Sequence, residues 1–335
     1  MSDRKKCIIL AIESSCDDTA AAILKDGKIL SNVVAGQKVH EQYGGVVPEL
    51  ASRAHQQNIV PVVDIALSQA GITKSEIDAI AFTAGPGLMG SLMVGVSFAK
   101  SMSMALDIPM LSVNHMEAHI LAHFIDEPSP TFPFLCLTVS GGHTLITVMH
   151  DFFNGEVIGQ TTDDAAGEAF DKAAKMLGLP YPGGPLIDQY GSTGNPLAYP
   201  FPKPNIPELN YSFSGLKTAY LYFIQNHRKT NPDFVTQNLP DICASIQYSI
   251  IHHLMKKLVL ASEQTGITQI ALAGGVSANS YLRSSLLAEG NKRGWQTFIP
   301  AFEYCTDNAA MIAMAGYYKY LKGDFASQMI SPNAR

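Results

Sequence analysis

The sequence predicts an α/β protein built from two related domains around a cleft, because the same order of elements occurs twice. Each half opens with a strand, a tight polar turn and a returning strand, at 7–24 and again at 134–149. Each half later has a strand that enters a glycine loop, at 79–87 and at 269–279. A single dinucleotide-binding unit would have one glycine loop and no second hairpin. We therefore expect an internal duplication.

The first half begins with apolar runs of strand length that polar turns separate. In order, the predicted elements are strands 7–12, 20–24 and 29–34, a helix that ends at Gly71, strand 79–83, a glycine loop at 84–87, a helix at about 88–106, and strand 108–113. In the helix at 88–106, Leu88, Leu92, Val96 and Ala99 recur at helical spacing. Either that stripe faces the core and a second stripe is open to a partner, or the helix is buried on all sides.

Prolines at 128, 130 and 133 interrupt the pattern and predict a domain boundary. The second half then has predicted strands at 134–139, 145–149, 269–272 and 297–300. We expect a first domain at 1–130, a second at 131–310, and a C-terminal helix at 311–335 that packs back toward the first domain.

Charge and cysteine content limit the classes of function. The 335 residues include 23 Lys and Arg against 29 Asp and Glu, a net charge of −6, which argues against a broad basic face for nucleic acid but allows a local patch. Five scattered cysteines without a C-x-x-C pair indicate a reducing compartment. The first apolar run, 7–12, is too short for a secretory signal, and we expect no stretch long enough to span a bilayer. The expected location is the cytoplasm.

Two histidines that follow the strand 108–113 suggest a metal site. His115 and His119 are four residues apart, so on a helix both imidazoles lie on one face. In this H-x-E-x-H pattern Glu117 lies about 200° around the helix from His115 and points away from any ion. A pair at this spacing is more often packing or capping than ligation, so a third ligand is needed. Asp307 is the candidate, although it or Thr306 could instead cap the following helix.

The polar turns suggest a nucleotide site. Turns 13–19 and 140–144 are rich in small and hydroxyl residues, so backbone N–H groups can approach a phosphate. The acids of the first turn would repel a bare phosphate, which points to an intervening cation or water. Asn279 ends a loop that could close over a nucleoside, and Asp171 and Asp188 are suited to ribose hydroxyls. Ordinary hairpin turns and solvated acids are the alternatives.

Ten motifs together identify a family. They are ESSCDDT (13–19), YGGVVPELASRAH (43–55), GPGL (85–88), HMEAH (115–119), TVSGGH (138–143), FDKA (170–173), YPGGPL (181–186), FSGLK (213–217), AGGVSAN (273–279) and CTDN (305–308). In this order the chain resembles the bacterial tRNA N6-adenosine threonylcarbamoyltransferase family, formerly described as a glycoprotease or O-sialoglycoprotein endopeptidase family.

The resemblance implies the actin-like ATPase fold of sugar kinases and actin, with two ribonuclease-H-like domains. It implies transfer of a threonylcarbamoyl group from threonylcarbamoyl-AMP to N6 of the adenosine beside the anticodon, in tRNAs that read codons beginning with A, with release of AMP. It also implies two partners, an inactive paralogue that forms a heterodimer with this subunit and a small ATPase, and no membrane.

The family's functional residues carry over to matching positions. A divalent ion, Fe²⁺ with Zn²⁺ as the alternative, would be held by His115, His119 and Asp307. Threonylcarbamoyl-AMP, or ATP or ADP, would be held by the residues matching Thr138, Val139, Ser140, Gly141, Gly142, Asp171, Gly184, Asp188 and Asn279.

Two other functions remain open at this point. The family's older name suggests a metalloprotease, which would need an acid correctly placed beside the metal. The third reading is a nucleotide-binding scaffold whose bound state regulates partners.

Overall fold

The computed structural model describes residues 6–334 and divides the chain into two compact units. The first unit is Met1–Ser129 with Ala301–Arg335, and the second is Pro130–Pro300. The first boundary lies within one residue of the expected 130/131. The second differs from the expected 310/311, because the segment from Ala301 leads into a helix that packs on the sheet of the first unit.

Each unit contains one five-stranded mixed sheet. The strands are β1 (Ile8–Glu13), β2 (Asp18–Lys25), β3 (Lys28–Gly36), β4 (Ala79–Gly85) and β5 (Met110–Asn114) in the first, and β6 (Phe134–Val139), β7 (Thr144–Asp151), β8 (Asn154–Gln160), β9 (Gln269–Ala273) and β10 (Gln296–Phe298) in the second. The strand orders are β3-β2-β1-β4-β5 and β10-β9-β6-β7-β8. The sequential hairpins are antiparallel and the other neighbours are parallel, so the two sheets have the same topology.

Ten α-helices surround these sheets in the described part of the chain. They are α1 (Pro48–Ala70), α2 (Met89–Leu106), α3 (His115–Leu121), α4 (Ala166–Leu177), α5 (Gly183–Gly191), α6 (Ser214–Thr230), α7 (Phe234–Gln237), α8 (Leu239–Thr265), α9 (Ser280–Arg293) and α10 (Ala309–Lys322). The expected end of α1 is correct, since Gly71 adopts the left-handed conformation, with φ 64°, that closes a helix.

The central strands are buried on both faces, as their continuous apolar sequences require. In the first unit Leu10, Ile80 and Phe82 pack with Ile59 of α1 and Val96 of α2. In the second, buried residues of β6, β7 and β9 pack with α4, α6 and α8. Each core fixes the ends of its strands, and the predicted functional residues follow those ends.

Helix α2 has one buried stripe and one exposed stripe, which is the first of the two alternatives that the sequence allowed. Leu92, Val96 and Ala99 are buried, whereas Met93 and Met104 are more than half exposed. By length and composition alone, this helix is apolar enough to cross a membrane, which corrects the expectation that no stretch is. One or two such helices are weak indications, because a core helix passes the same test.

Candidate functional site

The histidine pair lies at the start of α3, where β5 ends. Asn114 caps the helix, because its side-chain oxygen accepts hydrogen bonds from the backbone N–H groups of Met116 and Glu117. His115 and His119 are both buried, at 8% and 2% exposure, and their ring centroids lie 4.7 Å apart. The predicted i, i+4 arrangement on one helix face is therefore present.

Asp307 joins this pair just before α10. Its Oδ1 lies 3.4 Å from His115 Nε2 and 3.3 Å from His119 Nε2. Asn308, and not Asp307 or Thr306, caps α10, because its side chain accepts from the N–H of Met311. Asp307 was expected in the second domain, but it belongs to the first unit with the histidines because α10 packs there.

The three side chains fit a metal ion. One ligand atom from each of His115, His119 and Asp307 lies within 4.8 Å of the others. Beyond the approach of Asp307 Oδ1 to Nε2, neither buried ring nitrogen of His119 makes a hydrogen bond among the described residues, which is costly unless an ion binds one of them. Two imidazoles and one carboxylate form the donor set of many Fe²⁺ sites and also suit Zn²⁺.

The charges of the site are strongly coupled. Burial alone would lower the pKa of His115, but the carboxylates of Asp307 and Glu13 outweigh it and hold this pKa well above its usual value. Burial lowers the pKa of His119. Burial would raise the pKa of Asp307, yet the two histidines hold it well below its usual range. Burial and then Asp307 raise the pKa of Asp18 to about 7. This concentration of acids favours a bound cation.

The turn between β1 and β2 lies against these residues and against α2. Ser15 Oγ is 3.2 Å from His115 Nδ1, and Ser14 Oγ donates to the carbonyl of Ser91 in α2 at 3.0 Å. A Cβ at Gly95 would lie 2.4 Å from Ser14 Oγ, so only glycine allows α2 this close. The turn is thereby fixed to the helix.

A second buried group holds the same turn from α1. His55 Nε2 donates to the carbonyl of Cys16 at 3.0 Å, so its Nδ1 accepts from Thr19 Oγ1 at 2.8 Å. Burial, and then Asp17, raise the pKa of the Cys16 thiol, which makes it a poor nucleophile.

Glu117 does not face the metal candidates. Burial raises the pKa of its carboxyl group, and the charges that act on this pKa are those of Lys319 and Asp324. The sequence expectation that this acid points away agrees with that environment.

The predicted nucleotide residues form a connected chain inside the second unit. Ser140 accepts a hydrogen bond at its carbonyl from the N–H of Gly167 in α4. Asp171 of α4 accepts from the N–H groups of Gly183 and Gly184, at 2.8 and 3.1 Å. The contacts therefore run from the turn after β6 through α4 to the first turn of α5.

The chain continues to α9 and α8. Asp188 of α5 accepts from the N–H and the hydroxyl of Ser280 at 2.9 and 2.7 Å. Asn279 caps α9 by accepting from Leu282 N–H, and its Nδ2 donates to Gln247 Oε1 at 2.7 Å. The side chains of Asp188 and Asn279, which were predicted to contact a nucleotide, therefore also form hydrogen bonds within the protein.

The end of β6 and the glycine loop after β9 meet closely. Gly274 has φ 83°, and a Cβ there would lie 2.5 Å from the carbonyl oxygen of Val139. Thr138 and Val139 are fully buried, whereas Gly141 and Gly142 are exposed with open space at the Cβ position. The open part of this site is therefore the glycine turn.

Fold comparison defines the class first. Component A of (R)-2-hydroxyglutaryl-CoA dehydratase from Acidaminococcus fermentans is similar, with a TM-score of 0.54 and 14% identity over 95% of this chain and 99% of that one. Full-length HypF in its phosphate- and nucleotide-bound form has a TM-score of 0.64 and 14% identity over 96% of this chain and 47% of that one. The chain has the actin-like ATPase fold, as predicted, with a buried His-His-Asp group.

Sequence comparison then gives the family. The family described as TsaD, tRNA N6-adenosine threonylcarbamoyltransferase, matches residues 28–314. Proteins with that name from Christiangramia forsetii and Cytophaga hutchinsonii are 65% and 59% identical, over 100% of this chain and 99% and 98% of theirs. The chain belongs to the TsaD family. Its activity is threonylcarbamoyl transfer to N6 of adenosine in tRNA, which confirms the function predicted from the motifs.

Proposed function

We propose that His115, His119 and Asp307 hold one divalent ion, Fe²⁺ in preference to Zn²⁺. The observation that carries this proposal is that one ligand atom from each of these three side chains lies within 4.8 Å of the others. Two imidazoles and one carboxylate leave coordination positions open for a substrate oxygen. Such an ion acts as a Lewis acid that polarises a carbonyl group.

We further propose that the second unit binds threonylcarbamoyl-AMP, or ATP or ADP, through Thr138, Val139, Ser140, Gly141, Gly142, Asp171, Gly184, Asp188 and Asn279. The connected chain of contacts among them supports one shared site. The exposed glycines leave backbone N–H groups accessible to the phosphate. Each carboxylate oxygen of Asp188 can accept a second hydrogen bond, so its contact with Ser280 is compatible with a ribose hydroxyl.

In this proposal the chain positions its substrates and forms no covalent intermediate. The N6 amine of the adenosine beside the anticodon attacks the carbamoyl carbon of threonylcarbamoyl-AMP. The bond from that carbon to the phosphate oxygen breaks, and AMP leaves. Its phosphate is held by the turn at Ser140–Gly142. The tRNAs are those that read codons beginning with A.

One reaction tests this function against both alternatives. The purified chain is mixed with threonylcarbamoyl-AMP and unmodified tRNA, with and without its partners, and the tRNA is digested to nucleosides. Threonylcarbamoyladenosine is the expected product. Nucleotide-dependent partner binding without that product would support a scaffold, and cleavage of a glycoprotein would support a protease. The charges that act on Glu117 are those of Lys319 and Asp324 and not those of the three metal candidates, which supports the transferase over the protease.

We propose that α1 and α2 bind the inactive paralogue in the cytoplasm, and that a small ATPase resets the complex. A groove of about 370 Å³ lies between these helices, lined by Val60, Phe98, Ser101 and Met102 among others. Val60 in this groove exposes more than half of its surface, and so do Met93 and Met104 elsewhere on α2. Exposed apolar side chains on two neighbouring helices are typical of a protein interface. The net charge of −6 leaves little affinity for tRNA without helpers. If this chain alone modified tRNA over multiple turnovers, at a rate that added partners did not change, the proposed need for partners would be contradicted.

A further inference from the structure

Glu13 is a fully buried acid at the end of β1, in the turn where acids were expected to repel phosphate. Its Oε1 accepts a hydrogen bond from the N–H of Ser15, and its Oε2 accepts from Thr83 Oγ1. The same Oε2 lies 3.1 Å from His115 Nδ1. A buried carboxylate is costly to desolvate, so it requires partners that favour its charged form.

The contact with His115 fixes which nitrogen faces Asp307. Because an ionised carboxylate only accepts hydrogen bonds, His115 carries a hydrogen on Nδ1. In the neutral ring the lone pair is then on Nε2, the atom that lies 3.4 Å from Asp307 Oδ1. A carboxylate behind a ligand imidazole holds the ring in place and raises its basicity.

The two imidazoles differ in this respect. His119 Nδ1 has no hydrogen-bond partner among the described residues, whereas His115 Nδ1 has both Glu13 and Ser15 Oγ within 3.2 Å. Glu13 is itself held from two strands, since Thr83 belongs to β4. The support is therefore specific to one of the two histidines and rigidly anchored.

We propose that Glu13 is a positioning residue that orients His115 Nε2 toward the metal. This inference rests on the proposed ion at His115, His119 and Asp307. Glu13 touches neither the ion nor the substrate, and its effect reaches the metal through the imidazole.

The test measures metal affinity and needs no substrate. Fe²⁺ under anaerobic conditions, and separately Zn²⁺, are titrated in competition with a chelator into the full chain and into its Glu13→Gln variant. The loss of the charge behind His115 is expected to weaken binding about 10- to 100-fold. The metal-free variant is expected to melt lower than the wild type, because glutamine removes the charge that pairs with His115, so metal affinity is compared at a temperature where both proteins are folded.

Thr83→Val is the matched control. It removes one donor to the same carboxylate and keeps both its charge and its contact with His115, so metal affinity should change much less than in Glu13→Gln. Equal affinity in wild type and Glu13→Gln would overturn the positioning role while leaving the metal site intact. A wild-type chain that takes up neither ion would overturn both, and these two failures are distinguishable. If Glu13→Gln melts lower and binds metal normally, Glu13 supports only the fold.

Discussion

Lowering the pH should destabilise the second unit through His253. This side chain of α8 is 3% exposed, and its ring packs edge-on against Tyr211 and Phe213, with centroids 5.4 and 5.5 Å away. Its Nε2 has no hydrogen-bond partner among the described residues. Burial, and then the neighbouring Lys257, lower its pKa to about 4. The folded protein therefore keeps this imidazole neutral.

The sign of the effect follows from proton binding. The unfolded chain takes up a proton near its ordinary pKa of about 6.5, while the folded chain does so only near pH 4. Stability from this group is complete above about pH 7 and is lost as the pH falls from 6.5 toward 4. Between pH 7 and pH 5 these two values correspond to a loss of about 2 kcal/mol in the free energy of unfolding.

Urea unfolding at pH 7, 6 and 5 measures this loss. Trp295 is the only tryptophan in the sequence and lies in the second unit, so its fluorescence reports on that unit. His253→Phe keeps a ring between Tyr211 and Phe213 but cannot titrate. Other groups titrate equally in both proteins, so the wild type should lose about 2 kcal/mol more than the variant. Parallel losses in the two proteins would refute this account of His253.

Three further predictions concern the proposed sites. His119→Ala should fold but lose both metal and transfer activity, since two ligands bind an ion weakly; full metal occupancy, by elemental analysis, would contradict the site. Asp188→Ala should weaken adenylate binding without releasing the metal, and calorimetry that finds unchanged affinity would reject its ribose contact. Ser97→Glu, on the exposed stripe of α2, should prevent formation of the heterodimer without lowering the melting temperature. Ser284→Glu, at an exposed position on α9, is the control and should still form the heterodimer. Gel filtration of each variant with the paralogue measures the difference.

The duplicated fold could be predicted because buried parallel strands have short, continuous apolar sequences. The first three strands of the first unit, and two of their three counterparts, were found in this way. β8 was missed, since five of its seven residues, including Val157, are exposed and no apolar alternation marks it. The contacts that assign Ala301–Arg335 to the first unit join residues that are remote in sequence, so the sequence pattern does not show them.

The part of the site formed by residues close together in sequence was predictable. His115 and His119 are one helical turn apart, so their shared face follows from the sequence alone. Asp307 could be proposed as the third ligand from its position before a predicted helix, and the structure brings it to the two histidines. The role of Glu13 was not predictable, because its partners Thr83 and His115 are 70 and 102 residues away. The available signal was an acid at the end of an apolar strand.

The attachment of α2 to the first turn has a thermodynamic consequence. Leu88 N–H donates to the carbonyl of Ser15 at 2.7 Å, Ser91 Oγ donates to that of Cys16 at 3.0 Å, and Ser14 is bound in return. The same turn contacts His115, while the opposite stripe of α2 faces solvent. A protein that shifts this helix must strain these bonds or move the turn, and so would alter the free energy of metal binding at the proposed site. By linkage, metal loading then changes the affinity for that protein by the same factor.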